Sequence, residues 1–315
     1  MEVKKISELE VEDRIDGFFV IKSFEKKTAA SGREYYDLDL LDDTGIINAK
    51  IWEIEKGEDI SEGDFVKVRG EVISWKDVKQ MKIFKARKVV ESDDVKIEDY
   101  VQSAPIEAIK MYSEIMEYTE AMSSEDIKKL VETILLEKKD KLMYYPAAKG
   151  NHHAIRSGLL YHMLRMLRAG AKLLEVYDGM NSDLVYAGVI LHDLAKIEEM
   201  EANELGIVSD YTKEGKLLGH IIQGIKEIDR VARENGIDGE ISLVIQHMIL
   251  SHHYYPEHGS PRYPMIPEGE LLHYLDIIDA RIYDMQKALS EVKEGEFTSR
   301  VWTLDNRQLY KVNKD

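Results

Sequence analysis

The chain of 315 residues contains no cysteine. That excludes disulfides, Cys-ligated zinc modules and thiol catalysis, and nothing in the sequence points to an oxidising compartment. A long apolar run is missing as well. The start, Met1-Glu2-Val3-Lys4-Lys5, lacks the apolar core of a signal peptide, and no later stretch reaches the roughly 18 uninterrupted apolar residues of a membrane span. A cytoplasmic protein with no membrane partner is therefore expected. No internal repeat or low-complexity segment is evident. Positive charge is short, with 43 Lys and Arg against 60 Asp and Glu and a net charge of −17. A polyanion binds by exchanging its counterions for protein cations, so nucleic acid would need a local positive track on this acidic chain.

What is present leaves room for two domains, with 44% hydrophobic and 33% charged residues, an ordinary globular balance. Residues 1–95 read as strands. Phe18-Phe19-Val20-Ile21 is one, and Glu34 to Leu40 alternates ring or aliphatic residues with acids at period two, as a half-buried strand does. Asp42-Asp43-Thr44-Gly45 is a turn signal leading into Ile46–Trp52, the return arm of a hairpin. Phe65–Ile73 and Met81–Val90 follow, with Gly70 inside the fourth strand, where a barrel strand must bend. Five such strands predict a small all-β barrel of the OB type, a fold that commonly binds oligonucleotides. Between Lys67 and Lys88 the bases Lys67, Arg69, Lys76, Lys79, Lys82, Lys85, Arg87 and Lys88 stand against only Glu71 and Asp77, with Trp75 and Phe84 interleaved. Cations follow phosphates and rings stack on bases, which makes Trp75, Phe84 and Lys82 candidate contacts for single-stranded RNA or DNA. The alternative is a lysine-rich solvent face over core rings.

After Glu91-Ser92-Asp93-Asp94 the period becomes helical, and residues 96–315 read as an all-α domain. Pro105 marks a helix start, and a second helix runs from its cap at Ser123 or Ser124 to about Leu142. Through this half are spread His162, His192-Asp193, His220, His252-His253 and Asp276. They are too far apart for one helix or loop, so only a packed helical core can gather them. His192-Asp193 closes the run Val185–Leu191, apolar on nearly every face, where an ionisable pair is costly unless a bound cation compensates it. Imidazole and carboxylate without thiolate suit one or two divalent first-row ions such as Mn, Fe, Co, Ni or Zn. Singly, His162 also reads as a core or surface histidine and His220 as a loop or cap residue. The ordered set carries the metal reading. His258 and His273 read as structural and His247 stays undecided.

His192-Asp193 with Lys196, a helical His162 before it and a later Asp resemble the HD phosphohydrolase superfamily. Several strings resemble one branch more closely: Pro146-Ala147-Ala148-Lys149 with Asn151-His152-His153-Ala154, Gly158–His162, Gly215–Ile221, Leu250-Ser251-His252-His253, Gly259-Ser260-Pro261, Leu272–Asp276 with Asp279-Ala280, and Asn306–Lys311. With the N-terminal barrel they resemble the YhaM family of 3′→5′ exoribonucleases over essentially the whole chain. The resemblance implies a multidomain protein, an OB-type barrel followed by an HD-superfamily domain.

By that resemblance His162, His192, Asp193 and Asp276 hold one ion, and Asp193 bridges to a second held by His220 with His252 or His253. Manganese is the metal it favours. Asp193 and Lys196 are the catalytic candidates, Lys196 being one turn beyond Asp193 and suited to a phosphate oxygen. Asp276 is taken as the ligand and Asp279, one turn on, as the group orienting an imidazole, although spacing alone separates neither this pair nor His252 from His253. His152 and His153 resemble positions near the substrate, and the fork of Arg262 suits a phosphate. The implied activity is metal-dependent 3′→5′ hydrolysis of single-stranded RNA, with DNA as a further substrate. Two rivals share these features: an HD nucleotide phosphohydrolase acting on free or cyclic nucleotides, which has little use for a barrel, and a non-catalytic single-strand-binding protein with a relict helical domain. A homo-oligomer is left open.

Overall fold

The computed structural model describes residues 4–53, 59–150 and 153–313. The chain divides into two compact units, Met1–Ser103 and Ala104–Asp315.

In the first unit β1 (Arg14–Thr28), β2 (Glu34–Asp42), β3 (Gly45–Ile51), β4 (Phe65–Trp75) and β5 (Val78–Lys88) form a closed barrel in the order β1-β2-β3-β5-β4. Strand β1 serves two neighbours. Arg14 to Val20 pairs antiparallel with β4, and from Val20 onward the strand pairs with β2, with a register shift between Ile21 and Ser23. The β3–β5 pair is parallel. Alternation sends Leu38, Leu40, Ala49, Ile51, Val66, Val68 and Met81 into the interior, where all are buried. The hairpin turn expected at Asp42–Gly45 is pinned by the Asp42 carboxylate, whose Oδ1 accepts from Thr44 N, Thr44 Oγ1 and Gly45 N while Oδ2 accepts from Ile6 N. The fifth strand starts at Val78, ahead of the apolar pattern, because Lys76 and Asp77 take positive φ and close a two-residue turn between the paired Trp75 and Val78. Tyr100 lies 5.1 Å from the Phe65 ring and 6.0 Å from Phe18, which keeps residues 96–103 with the barrel.

The second unit packs α1 (Ala108–Glu120), α2 (Glu125–Leu142), α3 (Gly158–Leu174), α4 (Ser182–Leu191), a short α5 (Lys196–Glu199), α6 (Lys213–Asn235), α7 (Gly239–Ser251) and α8 (Pro267–Ser290). Strands β6 (Met200–Ala202) and β7 (Val208–Tyr211) add one small hairpin between α5 and α6. Caps start the helices where short polar side chains occur: Ser124 accepts from Ile127 N, Asn181 from Asp183 N and Leu184 N, Thr212 from Gly215 N, and Asp238 from Glu240 N and Ile241 N. Helix α4 is central, with Val185, Ala187, Val189, Ile190 and Leu191 all buried in one core with Leu159 and Met163 of α3, Ile245 and Met248 of α7, and Leu272 and Leu275 of α8. Among the described residues no helix is long and apolar enough to cross a membrane.

Gly70 shows how closely the barrel strands approach. The β4–β5 register shifts between Arg69 and Gly70, and a Cβ at residue 70 would stand 2.5 Å from the Lys82 carbonyl oxygen. Backbone cannot yield there as a flexible side chain would. Gly70→Ala is expected to destabilise the barrel by about 1–3 kcal/mol, read as a lower denaturant midpoint for the barrel transition with the helical unit's transition unchanged.

Candidate metal centre

Two helices of the core end at the site. Helix α4 stops at Leu191 and α7 at Ser251, so that His192 and His252 are their C-terminal caps. The His192-Asp193 pair thus sits on a turn and not inside a continuing helix. Each cap imidazole folds back on its own helix: His192 Nδ1 donates to the Val189 carbonyl at 2.9 Å and His252 Nδ1 to the Ile249 carbonyl at 2.7 Å. A carbonyl can only accept, so Nδ1 carries the hydrogen and the inward Nε2 keeps its lone pair. The negative ends of two helix dipoles also favour a cation here.

The other imidazoles are held from behind in the same way. On α3, His162 Nδ1 donates to Asp279 Oδ2 at 2.8 Å, while its Nε2 lies 3.3 Å from Asp276 Oδ1. Helix α6 breaks at Gly219 (φ 69°, ψ 166°), a conformation that suits glycine, and the break turns His220 inward. His220 Nδ1 lies 3.2 Å from both Glu199 oxygens. His253 Nδ1 donates to the His258 carbonyl at 2.7 Å. Asp193 stands between the rings. Its Oδ1 is 3.3 Å from His220 Nε2 and 3.9 Å from His252 Nε2, and its Oδ2 is 3.4 Å from His192 Nε2 and 2.6 Å from Lys196 Nζ.

These atoms form two overlapping groups, His162-His192-Asp193 and Asp193-His220-His252-His253, each with donor atoms within 4.8 Å of one another. The fit to a divalent cation is physical. His192 Nε2, Asp193 Oδ1, His220 Nε2 and His252 Nε2 are buried and have no hydrogen-bond partner among the described residues. Lone pairs facing one another in a dry site are costly, and a cation is a partner that satisfies them together.

Electrostatics separates the rings. Burial opposes charge at His162, but Asp276 and Asp279 on its two nitrogens outweigh it and raise its pKa to about 9. At His252 burial, reinforced by neighbouring His253 and His192, pushes the pKa well below the ordinary value, and burial also lowers His253. Burial acts against the Asp193 carboxylate, yet Lys196 and His192 hold it well below the usual range. Burial likewise opposes the Lys196 ammonium, and Asp193 overrides that and raises its pKa.

Asp279 is gripped by His153 Nε2 at 2.7 Å and Arg165 Nε at 2.5 Å as well as by His162. His153, expected near substrate, is instead 0% exposed, with its ring 3.9 Å from Tyr283, so it presents no face to a ligand. His152 lies outside the described residues. Arg262 is exposed in the loop before α8 and makes no ion pair among the described residues. His247 accepts from Met265 N, and His273 Nδ1 donates to the His252 carbonyl. Sequence reasoning missed Glu199 and Arg165. Arg165 follows His162 by three residues on α3 and so shares its face, a usable signal; Glu199 reaches His220 only through the chain reversal after α4.

On the barrel, much of the basic run is already neutralised. Lys67 and Arg69 pair with Asp16, Lys79 with Glu10, Arg87 with Asp93 and Lys88 with Asp64. Trp75 is 60% exposed at the β4–β5 turn, and Phe84 is 42% exposed with Lys82 Nζ 5.5 Å from its ring centroid. Beside Phe84 in register, one residue past the Ile51↔Ile83 pair, Trp52 stacks on Tyr35 at 4.7 Å. Arg33 covers Trp52 and Lys50 covers Tyr35. These rings come from β2, β5 and the residue after β3, which is why the stretch Lys67–Lys88 alone did not show them.

A ligand needs its lone pair, so were His162 to hold a metal it would have to lose a proton below about pH 9, whereas the depressed His252 and His253 would have none to give. Between pH 7 and 9 apparent affinity is therefore expected to rise with pH by up to about tenfold per unit and then flatten. Calorimetry in buffers of different ionisation enthalpy should read about one proton released per protein. Uptake without proton release at pH 7.5 would contradict this.

The HD domain model matches residues 159–281, and the model described as an OB-fold nucleic acid binding domain matches residues 20–89. A 3′-5′ exoribonuclease YhaM of a Geobacillus species is 41% identical over 98% of this chain and 95% of its own length. The YhaM protein of Bacillus subtilis is 39% identical over 96% of each chain, and that of Bacillus pumilus 37% over 98% of each. The chain therefore belongs to the YhaM family of 3′-5′ exoribonucleases.

Proposed function

We propose that this protein is a metal-dependent 3′→5′ exoribonuclease that hydrolyses single-stranded RNA at a dinuclear centre bridged by Asp193. The observation that carries the reading is the shared carboxylate, with one oxygen toward His220 and His252 and the other toward His192. In this assignment His162, His192, Asp193 and Asp276 hold one ion, and Asp193, His220, His252 and His253 hold the other. Manganese is the metal the family resemblance favours, and the all imidazole-and-carboxylate donor set accommodates it. When bound, the ions supply Lewis acidity toward phosphoryl oxygens and lower the pKa of water.

The protein's own groups do the positioning. Each imidazole is held through Nδ1 by a carbonyl or carboxylate, so no ligand must be reoriented during the reaction. Asp279 locks His162, and His153 with Arg165 locks Asp279. Lys196, bonded to Asp193 Oδ2, is the cation beside the carboxylate and is assigned to a phosphate oxygen of the substrate. On the barrel, Tyr35, Trp52 and Phe84 offer ring faces for bases, with Arg33, Lys50 and Lys82 for phosphates, and Trp75 extends the ring set at the hairpin tip. The barrel and its rings favour a polymer over free nucleotides as substrate.

The decisive measurement follows 5′-labelled single-stranded RNA with added Mn²⁺. Wild type is expected to produce a ladder shortening from the 3′ end, and Asp193→Ala none. Equal ladders would refute the site, and no shortening in either would refute the activity. Trp52→Ala with Phe84→Ala should weaken single-stranded RNA binding by about 1–3 kcal/mol for each base unstacked, with hydrolysis of a dinucleotide unchanged. Unaltered affinity for long RNA would remove the ring row from the substrate path.

A further inference from the structure

Beyond the metal centre, α8 carries a second feature on the same stripe. Asp276, Asp279, Tyr283 and Lys287 recur at three- and four-residue steps and so line one face of the helix. At a rise of about 1.5 Å per residue, Lys287 lies about 16 Å along the axis from Asp276. There the carboxy-terminal segment folds over the end of α8 and leaves a cleft of about 540 Å³, lined by Lys287, Ser299, Arg300, Trp302 and Thr303, with Asp284 and Glu291 at its acidic edge. The wall is built and held. Arg281 pairs with Asp305 at 2.5 Å, Lys311 Nζ donates to the Val292 carbonyl at 2.6 Å, and bridges join Phe297 to Tyr310 and Val301 to Arg307.

Two properties of the cleft are unusual for this chain. Lys287 and Arg300 make no ion pair among the described residues, although the protein carries 60 acidic side chains against 43 basic ones. Arg300 spends one donor on the Asn306 carbonyl and keeps the rest of its fork. Trp302 is 74% exposed, a ring left in water beside two uncommitted cations and the hydroxyls of Ser299 and Thr303. Ring face, cations and hydroxyls together suit a single-stranded nucleic acid backbone with a base laid on the ring.

We infer that this cleft is a subsite for the RNA strand a few nucleotides upstream of the scissile bond, with Lys287 and Arg300 on phosphates and Trp302 under a base. The inference rests on the exoribonuclease reading for its substrate. A stacked strand advances about 3.4 Å per nucleotide and an extended one more, so the cleft is reached within about five nucleotides of the metal ligands.

The test compares a decanucleotide with a dinucleotide, the second being too short to reach the cleft. For Lys287→Glu with Arg300→Glu, and separately for Trp302→Ala, KM for the decanucleotide should rise about tenfold while dinucleotide turnover stays at the wild-type value. An unchanged decanucleotide KM overturns the subsite, and so does an equal loss on both lengths, which would mark damage to the fold. A second readout does not need turnover: with calcium replacing the catalytic metal, an oligonucleotide bearing 4-thiouridine within five positions of its 3′ end should cross-link to the peptide containing Trp302. Cross-links confined to the barrel overturn the proposal. Should wild type cleave neither length, the exoribonuclease reading fails and the cross-link decides the cleft by itself.

Discussion

A single buried carboxylate, Asp193, sets the constraint to which the helical unit conforms. It is almost without solvent access and is ringed by the Nε2 atoms of His192, His220 and His252 at 3.3–3.9 Å. Such a concentration of lone pairs is unfavourable in a dry interior unless a cation shares it. Lys196 supplies one positive charge at Oδ2, but Oδ1 and the three Nε2 atoms have no hydrogen-bond partner among the described residues. The site is thus a place where packing alone destabilises and a divalent ion compensates, which links metal uptake to the stability of the fold.

The arrangement of helices follows from that requirement. Helices α4 and α7 both terminate at the site, each capped by a candidate ligand histidine, so the groups that end the helices also turn their Nε2 atoms into the cluster. The break of α6 at Gly219 and the carboxylate of Glu199 do for His220 what a helix end does for the other two. Asp279 performs the same service for His162 from one turn beyond Asp276 on α8. Every ring therefore has a fixed direction before any ligand arrives, which lowers the reorganisation that binding and catalysis would otherwise demand.

The barrel meets a different problem, that of offering a surface to a polyanion on a chain of net charge −17. It does not do so with a continuous basic stripe, because Asp16, Glu10, Asp64 and Asp93 take up most of those cations. Rings from separate elements remain, with Arg33 over Trp52, Lys50 over Tyr35 and Lys82 over Phe84.

Period-two alternation and turn residues made the barrel legible along the chain, since both are local signals; even the bend at Gly70 was visible as a glycine inside an apolar strand. Composition and order did the same for the metal-binding character of the helical half, because an ionisable pair closing the apolar run Val185–Leu191 demands compensation wherever it folds. What one-dimensional spacing does not contain is the distance between elements and the direction of a ring. His153 resembles a position near substrate and is fully buried against Tyr283; Trp52 and Tyr35 look unrelated and stack. Asp276 and Asp279 are equivalent on a helix face until the position of His162 gives each a different nitrogen. The amino-acid sequence by itself determined which kinds of group are present and that a packed core must bring them together. Only the tertiary structure decided which atom meets which, because hydrogen bonds act over about 3 Å and that scale is set by helices packed from distant parts of the chain.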